Sequence, residues 1–116
     1  MPVYNGELYL RDAINSILSQ DFADFELIIS DNASTDSTEL ICSEYLSKDC
    51  RIKYFRQPQN IGATANFRFT LDCAIGEYFM WAAADDRRHP AFLSLSRRVM
   101  LQNPDVDLVF SEFESK

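Results

Sequence analysis

The chain has 116 residues, of which 47% are apolar and 25% charged, which suits one globular domain with a buried core. Its net charge of -7 argues against a nucleic-acid backbone or an anionic membrane as a partner. Nucleotides stay possible, because a metal ion can bridge acidic side chains to phosphates. The sequence shows no signal peptide and no apolar run near the ~20 residues of a membrane span. Its three widely spaced cysteines predict reduced thiols in a cytosolic protein.

Two helices and two strands are predicted in the first half of the chain. After the turn-forming pair Asn5-Gly6, a helix is predicted from apolar residues at helical spacing, namely Leu10, Ala13, Ile14, Ile17 and Leu18. "FELIIS" (25–30) is apolar with polar neighbours, which indicates a buried strand. Asp36 and Glu39 have the spacing of a capping box and predict a helix that runs to about residue 48. "RIKYFRQ" (51–57) alternates charged and apolar residues, as half-exposed strands do.

Two further helices and two further strands are predicted in the second half. A helix over 63–74 is expected to end at Gly76 as its C-terminal cap. The apolar run 77–83 then predicts a buried strand, with Trp81 and its aromatic neighbours in the core. A fourth helix is expected to start near Pro90, which suits a first helical turn, and to stop before Asn103-Pro104. Alternating residues predict a last strand, carried by Val106, Leu108 and Phe110.

The regular alternation of helices and strands argues for an α/β layered fold with a largely parallel sheet. In such a sheet a strand should feed the first helix, yet only "MPVY" precedes it. We therefore expect the chain to begin at the tip of a first strand and to lack most of that strand.

Acidic side chains follow two of the predicted strands, and ligands of open α/β sheets bind beyond the carboxyl ends of the strands. Asp31 ends one strand, although it could also form an Asx turn, and Asp85 and Asp86 end another. The adjacent pair has three interpretations: a solvated turn that caps the next helix, a general acid/base pair, or ligands of a hard cation. Mg²⁺ and Mn²⁺ are often held by one or two carboxylates, with phosphates and water as the other ligands. That interpretation fits an edge where helix N-termini also favour phosphate.

Three segments together resemble glycosyltransferase family 2, the nucleotide-sugar-dependent transferases with the GT-A fold. "PVYNGELYLRDAINSILSQDFADFELIISDNASTDST" is similar to the family's opening, and "NIGATANF" to its N-x-G segment. "GEYFMWAAADDRRHP" is similar to the strand that enters the family's DxD metal motif. The resemblance implies a GT-A/Rossmann-like sandwich that lacks its first strand and its C-terminal part. It also implies that residues 1–116 form a single, partial glycosyltransferase domain that binds a nucleotide sugar.

The resemblance implies a donor site, position by position. Its nucleotide-binding residues would be Pro2, Val3, Tyr4, Glu7, Asp31, Asn60, Gly62, Asp85 and Asp86. The first three would line the nucleotide pocket largely through their backbone, and Asp31 would recognise the base.

A divalent cation, Mn²⁺ or Mg²⁺, is implied in the same way. Counting back from Pro90, the family's D-x-D-D-x-x-x-P pattern places metal-binding acids at Asp85 and Asp86. Ala83 stands where the family usually has the first acid, so we expect a weaker affinity for the metal. The cation would neutralise the diphosphate and stabilise the leaving nucleoside diphosphate.

The implied activity is a hexosyl-type transfer from a UDP-, dTDP- or GDP-sugar to a hydroxyl of a saccharide or lipid-linked acceptor, with inversion. Such an enzyme would serve polysaccharide biosynthesis for the cell envelope, in the cytoplasm or at the inner face of the membrane. The catalytic base is expected beyond the chain end, so no catalytic residue is assigned, and the chain alone is expected to be inactive.

Other functions stay in view. A non-catalytic nucleotide-binding or interaction module that keeps the GT-A fold is favoured by the alanine at position 83. A sugar nucleotidyltransferase is disfavoured, because "PVYNGELYLR" contains one glycine where those enzymes need a Gly-rich phosphate loop. A receiver-like phosphorylation domain is disfavoured too, because its acidic pair follows the first strand and not the fourth.

Overall fold

Three parallel strands form the sheet in a computed structural model that describes residues 1–110. Their order is β1-β2-β3, with β1 at Pro2–Val3, β2 at Leu27–Asp31 and β3 at Ile52–Arg56. In the register Val3 lies opposite Asp31, and Asp31 lies opposite Arg56, so the carboxyl ends of the strands coincide. Every residue of β2 is buried, as expected for the central strand of a parallel sheet.

Four helices accompany the strands: α1 at Leu10–Leu18, α2 at Thr38–Leu46, α3 at Ala63–Cys73 and α4 at Phe92–Gln102. The predicted α/β fold with a parallel sheet flanked by helices is confirmed. Strand and helix alternate up to residue 73 at the predicted positions, with ends shifted by a few residues. Among residues 1–110, no helix combines the length and the apolarity that crossing a membrane requires.

The hydrophobic core lies almost wholly within residues 1–73. Its members there include the apolar face of α1, which the helical spacing predicted: Leu10, Ala13, Ile14 and Ile17. Ile29 of β2 and Cys42 of α2 pack in the same cluster and are 0% exposed. After residue 73, Ala82 is the one apolar residue of the described chain that is buried.

The strand predicted at 77–83 is wrong, because these residues form neither strand nor helix. The free edge of β1 lies close to this segment, because residues 83–85 line one pocket with Pro2 and Val3. The carbonyl groups of Met1 and Val3 accept hydrogen bonds from the N–H groups of Ser30 and Asn32, so the backbone of Pro2 faces the free edge. Proline has no N–H to donate, and a two-residue strand offers little else to pair with. Trp81 is 44% exposed there, so its predicted place in the core is wrong as well.

Three further local predictions are wrong. Residues 106–110 form no strand: Leu108 and Phe110 are 77% and 85% exposed, and Val106 is half-buried. Ala74 caps the C-terminus of α3, not Gly76. The capping box at α2 is absent, because Asp36 accepts hydrogen bonds from Thr38, and Glu39 lies near Arg56 instead.

Candidate functional site

A pocket of about 330 Å³ opens where β1 ends. Two stretches of the chain form its sides: residues 2–9, called the loop wall, and residues 83–86, called the acidic wall, although Glu7, Leu8 and Asp86 do not themselves line the pocket. Phe67 of α3 completes the lining, whose members are Pro2, Val3, Tyr4, Asn5, Gly6, Tyr9, Phe67, Ala83, Ala84 and Asp85. Four of the predicted nucleotide contacts are among them: Pro2, Val3, Tyr4 and Asp85. The other five, Glu7, Asp31, Asn60, Gly62 and Asp86, are not.

The loop wall turns sharply into α1. Asn5 has a φ of 49°, in the left-handed region, and the carbonyl of Gly6 accepts the N–H groups of Tyr9 and Leu10. A Cβ atom at Gly6 would lie 2.6 Å from a methyl group of Val3, so only glycine fits there. The predicted role of the Asn-Gly pair as a turn into the helix is therefore confirmed.

Hydrogen bonds join the loop wall to residues 34–38, and we call this set of bonds the loop clasp. The N–H of Asn5 donates to the hydroxyl of Ser34 at 2.9 Å, and the N–H of Gly6 donates to the hydroxyl of Thr38 at 2.9 Å. In the opposite direction, the N–H of Thr35 donates to the side-chain oxygen of Asn5 at 2.8 Å. The loop clasp therefore fixes backbone that lines the pocket.

Glu7 belongs to the loop clasp and not to the pocket lining. Its carboxylate accepts the N–H of Ser37 at 3.0 Å, at the start of α2. Its own N–H donates to a carboxylate oxygen of Asp36 at 3.2 Å. Contact between Glu7 and a nucleotide stays a prediction, and the structure gives the side chain a different partner.

Asp31 is 0% exposed and is bound by protein groups. Its carboxylate accepts the hydroxyl of Tyr54 at 2.6 Å, a guanidinium N–H of Arg56 at 2.9 Å and the N–H of Ser34 at 2.9 Å. Burial raises the pKa of Tyr54 above its usual value, and the hydrogen bond to Asp31 adds to that rise. Ser34 in turn accepts the N–H of Asn5 with its hydroxyl. The buried carboxylate of Asp31 therefore stabilises the loop wall indirectly, through Ser34. Recognition of a base by Asp31 stays a prediction.

Asn60 and Gly62 shape the turn that leads into α3. The side-chain oxygen of Asn60 accepts the N–H of Gly62 at 2.8 Å and an amide N–H of Asn32 at 3.0 Å. The Asn32 side chain also accepts the N–H of Ile61 at 2.8 Å. Gly62 has a φ of 86°, which other residues rarely adopt. Their contact with a nucleotide stays a prediction.

The acidic wall carries Asp85, an exposed residue that lines the pocket, with exposed Asp86 next to it. Within residues 1–110, neither carboxylate has a hydrogen-bond or ion-pair partner. No group of three acidic, histidine or cysteine side chains forms among these residues, so a cation here would take its other ligands from elsewhere. Two adjacent carboxylates with hard oxygen atoms suit Mg²⁺ or Mn²⁺ when phosphates and water complete the coordination.

The acidic wall is tied to the rest of the protein through its neighbours. The indole N–H of Trp81 donates to the carbonyl of Phe67 at 3.1 Å and to the hydroxyl of Thr70 at 3.2 Å. On the other side, the N–H of Arg88 donates to the hydroxyl of Ser16 at 3.1 Å. Between these two anchors, the N–H of Asp86 reaches the carbonyl of Ala83 at 3.4 Å, which closes a turn.

Two aromatic residues of the pocket, Tyr9 and Phe67, were not predicted from the sequence. Tyr9 is 59% exposed and Phe67 43% exposed, although both are large apolar side chains. Their signal in the sequence is weak, because an aromatic residue within a helix or just before it, as Phe67 and Tyr9 are, is more often part of the core. Phe67 lies within "NIGATANF", the segment already noted for its likeness to a family motif.

Comparison with known proteins gives a family. The sequence profile of Glycosyl transferase family 2 matches residues 1–113. A glycosyltransferase of Haemophilus influenzae, described as uncharacterized, is 39% identical over 103 residues, which cover 89% of this chain and 41% of the relative. The GalNAc(5)-diNAcBac-PP-undecaprenol beta-1,3-glucosyltransferase of Campylobacter jejuni is 39% identical over 87 residues, which cover 74% of this chain and 28% of that protein. The chain thus spans about two-fifths or less of these relatives.

Solved structures give the same fold. Staphylococcus aureus TarS 1-349 in complex with UDP superposes with a TM-score of 0.82 at 28% identity, over 89% of this chain and 31% of TarS. The same TarS fragment is also known in complex with UDP-GlcNAc. The mannosyltransferase PcManGT of Pyrobaculum calidifontis, in complex with GDP-Man and Mn²⁺, has a TM-score of 0.60 at 22% identity and shares the fold alone. The fold is therefore GT-A, as predicted.

Proposed function

The chain belongs to glycosyl transferase family 2, and on that premise we propose that the pocket between the loop wall and the acidic wall binds a nucleotide-sugar donor. The observation that carries the proposal is the meeting of two distant segments. Residues 2–4 and Asp85, which the family resemblance assigned to nucleotide and metal, line one pocket although about eighty positions separate them. The whole enzyme would transfer the sugar to a hydroxyl group.

The lining suits a nucleoside. Tyr4, Tyr9 and Phe67 offer exposed aromatic surface, and a nucleobase stacks on such side chains with roughly 1–3 kcal/mol per base. The loop clasp holds the backbone of the loop wall in place by engaging the N–H groups of Asn5 and Gly6, so the other backbone groups of this wall would make the polar contacts to a ligand. A volume of about 330 Å³ is at the small end of the range for ligand pockets and suits part of a donor more than a whole one.

Asp85 and Asp86 would hold Mn²⁺ or Mg²⁺ together with donor phosphate oxygens and water. When bound, such a cation neutralises the diphosphate and makes the nucleoside diphosphate a better leaving group. Ala83 lines the pocket but has no carboxylate. The metal concentration at half-saturation should therefore be higher than for a site with a third acid. Asp85 supplies negative charge on one side, whereas the loop-wall residues that line the pocket are uncharged and leave the other side to the nucleoside.

The donor and acceptor are proposed by class. A UDP-, dTDP- or GDP-sugar is the donor, and UDP is the first probe because TarS, a 28% identical neighbour, was solved with UDP. The acceptor is a hydroxyl of a saccharide or a lipid-linked saccharide, in keeping with the name of the Campylobacter jejuni relative. Transfer proceeds with inversion, and the base that removes the acceptor proton is supplied from outside residues 1–110.

Thermal unfolding with nucleotide and metal tests this function. UDP, dTDP or GDP with Mn²⁺ should raise the Tm, by the equivalent of about 2.7 kcal/mol when the ligand exceeds its Kd a hundredfold. Asp85→Ala should lose the metal-dependent part of the shift. Asp105→Ala, which removes an exposed carboxylate that does not line the pocket, should keep it. The proposal is wrong if none of the three nucleotides raises the Tm with either metal.

A non-catalytic module that keeps the GT-A fold is the second candidate, and Ala83 favours it, because the pocket lacks one acid there. The two candidates differ in turnover and not in binding. A full-length protein that binds UDP-sugars with Mn²⁺ but neither transfers nor hydrolyses the sugar would support the module. Any sugar transfer that Asp85→Ala abolishes would exclude it.

A further inference from the structure

Two amide groups of the loop wall, those of Gly6 and Glu7, are held by one carboxylate that lies outside the pocket. Asp36 precedes α2 and does not line the pocket. One of its oxygens accepts the N–H of Glu7 at 3.2 Å. The other accepts both the N–H of Thr38 at 2.9 Å and the hydroxyl of Thr38 at 2.6 Å.

The hydroxyl of Thr38 links the carboxylate of Asp36 to the N–H of Gly6. A hydroxyl has one proton, and Thr38 donates it to Asp36. Its lone pairs must then face the N–H of Gly6, which donates to this oxygen at 2.9 Å. Thr38 is 0% exposed, so water cannot replace either partner. A single carboxylate therefore holds two consecutive amides of the loop wall, one directly and one through Thr38.

Glu7 makes a reciprocal hydrogen bond to the loop that contains Asp36. Its carboxylate accepts the N–H of Ser37 at 3.0 Å, so each of the two acids binds a backbone amide in the other's loop. Both carboxylates lie at the N-terminus of α2, where the helix dipole favours negative charge. Burial works to raise the pKa of Asp36, but the hydrogen bonds from Thr38 and from the N–H of Glu7 outweigh it and lower that pKa below the usual value.

The hydrogen bonds hold the loop wall in a conformation that residues with a side chain seldom adopt. Asn5 has a φ of 49°, in the left-handed region, which asparagine enters more readily than most other such residues. Without the loop clasp, Asn5 could relax to a negative φ and move its neighbours Tyr4 and Gly6, which line the pocket. The nucleotide contacts proposed for this wall are largely backbone contacts, so such a shift would disturb them directly.

We propose that Glu7 and Asp36 are positioning residues of the donor pocket, which act through the backbone of the loop wall and do not touch the ligand. The proposal rests on the proposed function, since it concerns how the same pocket receives its nucleotide. It differs from the expectation that Glu7 itself contacts the nucleotide, which stays a prediction. The competing explanation is that the two acids merely cap α2 and affect stability alone.

A matched control lies at the other end of α2. The carboxylate of Asp49 accepts the N–H of Arg51 at 2.9 Å and two guanidinium N–H groups at 3.0 and 2.8 Å. The hydrogen bonds from Arg51 lower the pKa of Asp49, as hydrogen bonds do for Asp36, but Asp49 does not line the pocket or touch the loop wall. Asp49→Asn should therefore weaken a local carboxylate network without changing nucleotide affinity.

The experiment measures the Kd of UDP with Mn²⁺ by calorimetry and the Tm, for the native protein and four variants: Asp36→Asn, Glu7→Ala, Glu7→Gln and Asp49→Asn. An asparagine at position 36 can keep Thr38 with its oxygen, but its NH₂ group would then meet the N–H of Glu7, donor against donor. We expect Asp36→Asn and Glu7→Ala to weaken UDP binding about tenfold. Glu7→Gln keeps an acceptor for Ser37 and should stay within about threefold of the native protein. Asp49→Asn should lower the Tm and leave the Kd unchanged.

The outcomes separate the two proposals. If the native protein binds UDP, and Asp36→Asn and Glu7→Ala bind it equally well while their Tm falls, the two acids are only helix caps and the inference is overturned. If the native protein binds no nucleotide, the proposed function fails and the inference fails with it. Should Asp36→Asn not fold, the Glu7→Ala and Glu7→Gln pair decides, because glutamine keeps an acceptor for the N–H of Ser37 and alanine does not.

Discussion

The two walls of the pocket are built in different ways. Three consecutive backbone amides of the loop wall, at residues 5–7, each donate to a side chain of residues 34–38. In the acidic wall the turn at Ala83 and Asp86 is closed by one bond of 3.4 Å, and the carboxylates of Asp85 and Asp86 have no partner within residues 1–110. The loop wall is thus shaped by the protein in advance, whereas the carboxylates of the acidic wall would gain their partners from metal and ligand. Such a division suits a pocket where one side fixes shape and the other supplies charge.

The same contrast extends to the regions that carry the walls. Residues 1–73 contain the sheet and almost all of the core, whereas α4 has no buried residue in the described chain. The stability of the protein should therefore come from the first region.

The largest effect is expected from one substitution made in both regions. Leu10→Ala removes a side chain that is 0% exposed in α1 and should lower the free energy of unfolding by about 3 kcal/mol. Leu95→Ala in α4, where the leucine is 48% exposed, should cost less than about 1 kcal/mol. Urea unfolding of both variants measures the difference. Equal costs would show that the second region holds as much of the core as the first.

A smaller loss is expected from the support behind the loop wall. Tyr54→Phe removes the hydroxyl that donates to the buried Asp31 at 2.6 Å and should lower the free energy of unfolding by about 1 kcal/mol. Tyr45→Phe is the matched control, because the hydroxyl of Tyr45 donates to Asn15 at 2.8 Å on the surface. Its loss should be within about 0.5 kcal/mol of zero. If Tyr45→Phe lowers the free energy of unfolding as much as Tyr54→Phe does, the hydrogen bond to the buried Asp31 has no special contribution to stability.

A pH effect of the same region comes from Cys42. Burial raises the pKa of this thiol to about 12, and the nearby charges of Asp31 and Glu39 add to the rise. A folded pKa above the usual value of 9.0 means that the stabilisation is complete below pH 9.0 and is lost as the pH rises towards 12. The free energy of unfolding should therefore fall between these values, and the fall should be shallower in Cys42→Ala. An unchanged slope in that variant would exclude the thiol as the cause.

The smallest perturbation is thiol labelling without any substitution. Cys50 is exposed and should react with a maleimide at once, whereas buried Cys42 should react only as fast as the protein opens. Cys73, at the end of α3, is half-buried and should react at an intermediate rate. Peptide mass spectrometry at several times gives the three rates. Equal rates for Cys42 and Cys50 would mean that the core region opens readily.

Elements whose own residues show a clear periodic pattern of apolar side chains were predictable. The apolar spacing of α1 and the polar-apolar alternation of β3 are local signals, and both elements lie where these signals predict them. The strand at 77–83 failed because its existence depends on an edge elsewhere, and Pro2 leaves that edge without an N–H. The pattern of a segment indicates that it could form a strand, but it does not show whether a neighbouring strand is available to pair with it.

The candidate site was predictable to the extent that family motifs mark it. Asp85 and the residues of β1 were assigned to one site, and they line one pocket. The cap of α2 was not predictable, because the acid that binds Ser37 is Glu7, thirty positions earlier in the chain. A capping box read from Asp36 and Glu39 assumes a local partner, and here the partner comes from another loop.

Calorimetric titration of UDP with and without Mn²⁺, on the native protein, Asp85→Asn and Asp36→Asn, tests the division between the walls most directly. Mn²⁺ should tighten UDP binding in the native protein and in Asp36→Asn, whose affinity is lower in both conditions, but not in Asp85→Asn. Shape would then reside in the loop wall and charge in the acidic wall. A gain from Mn²⁺ that is as large in Asp85→Asn as in the native protein would contradict this division.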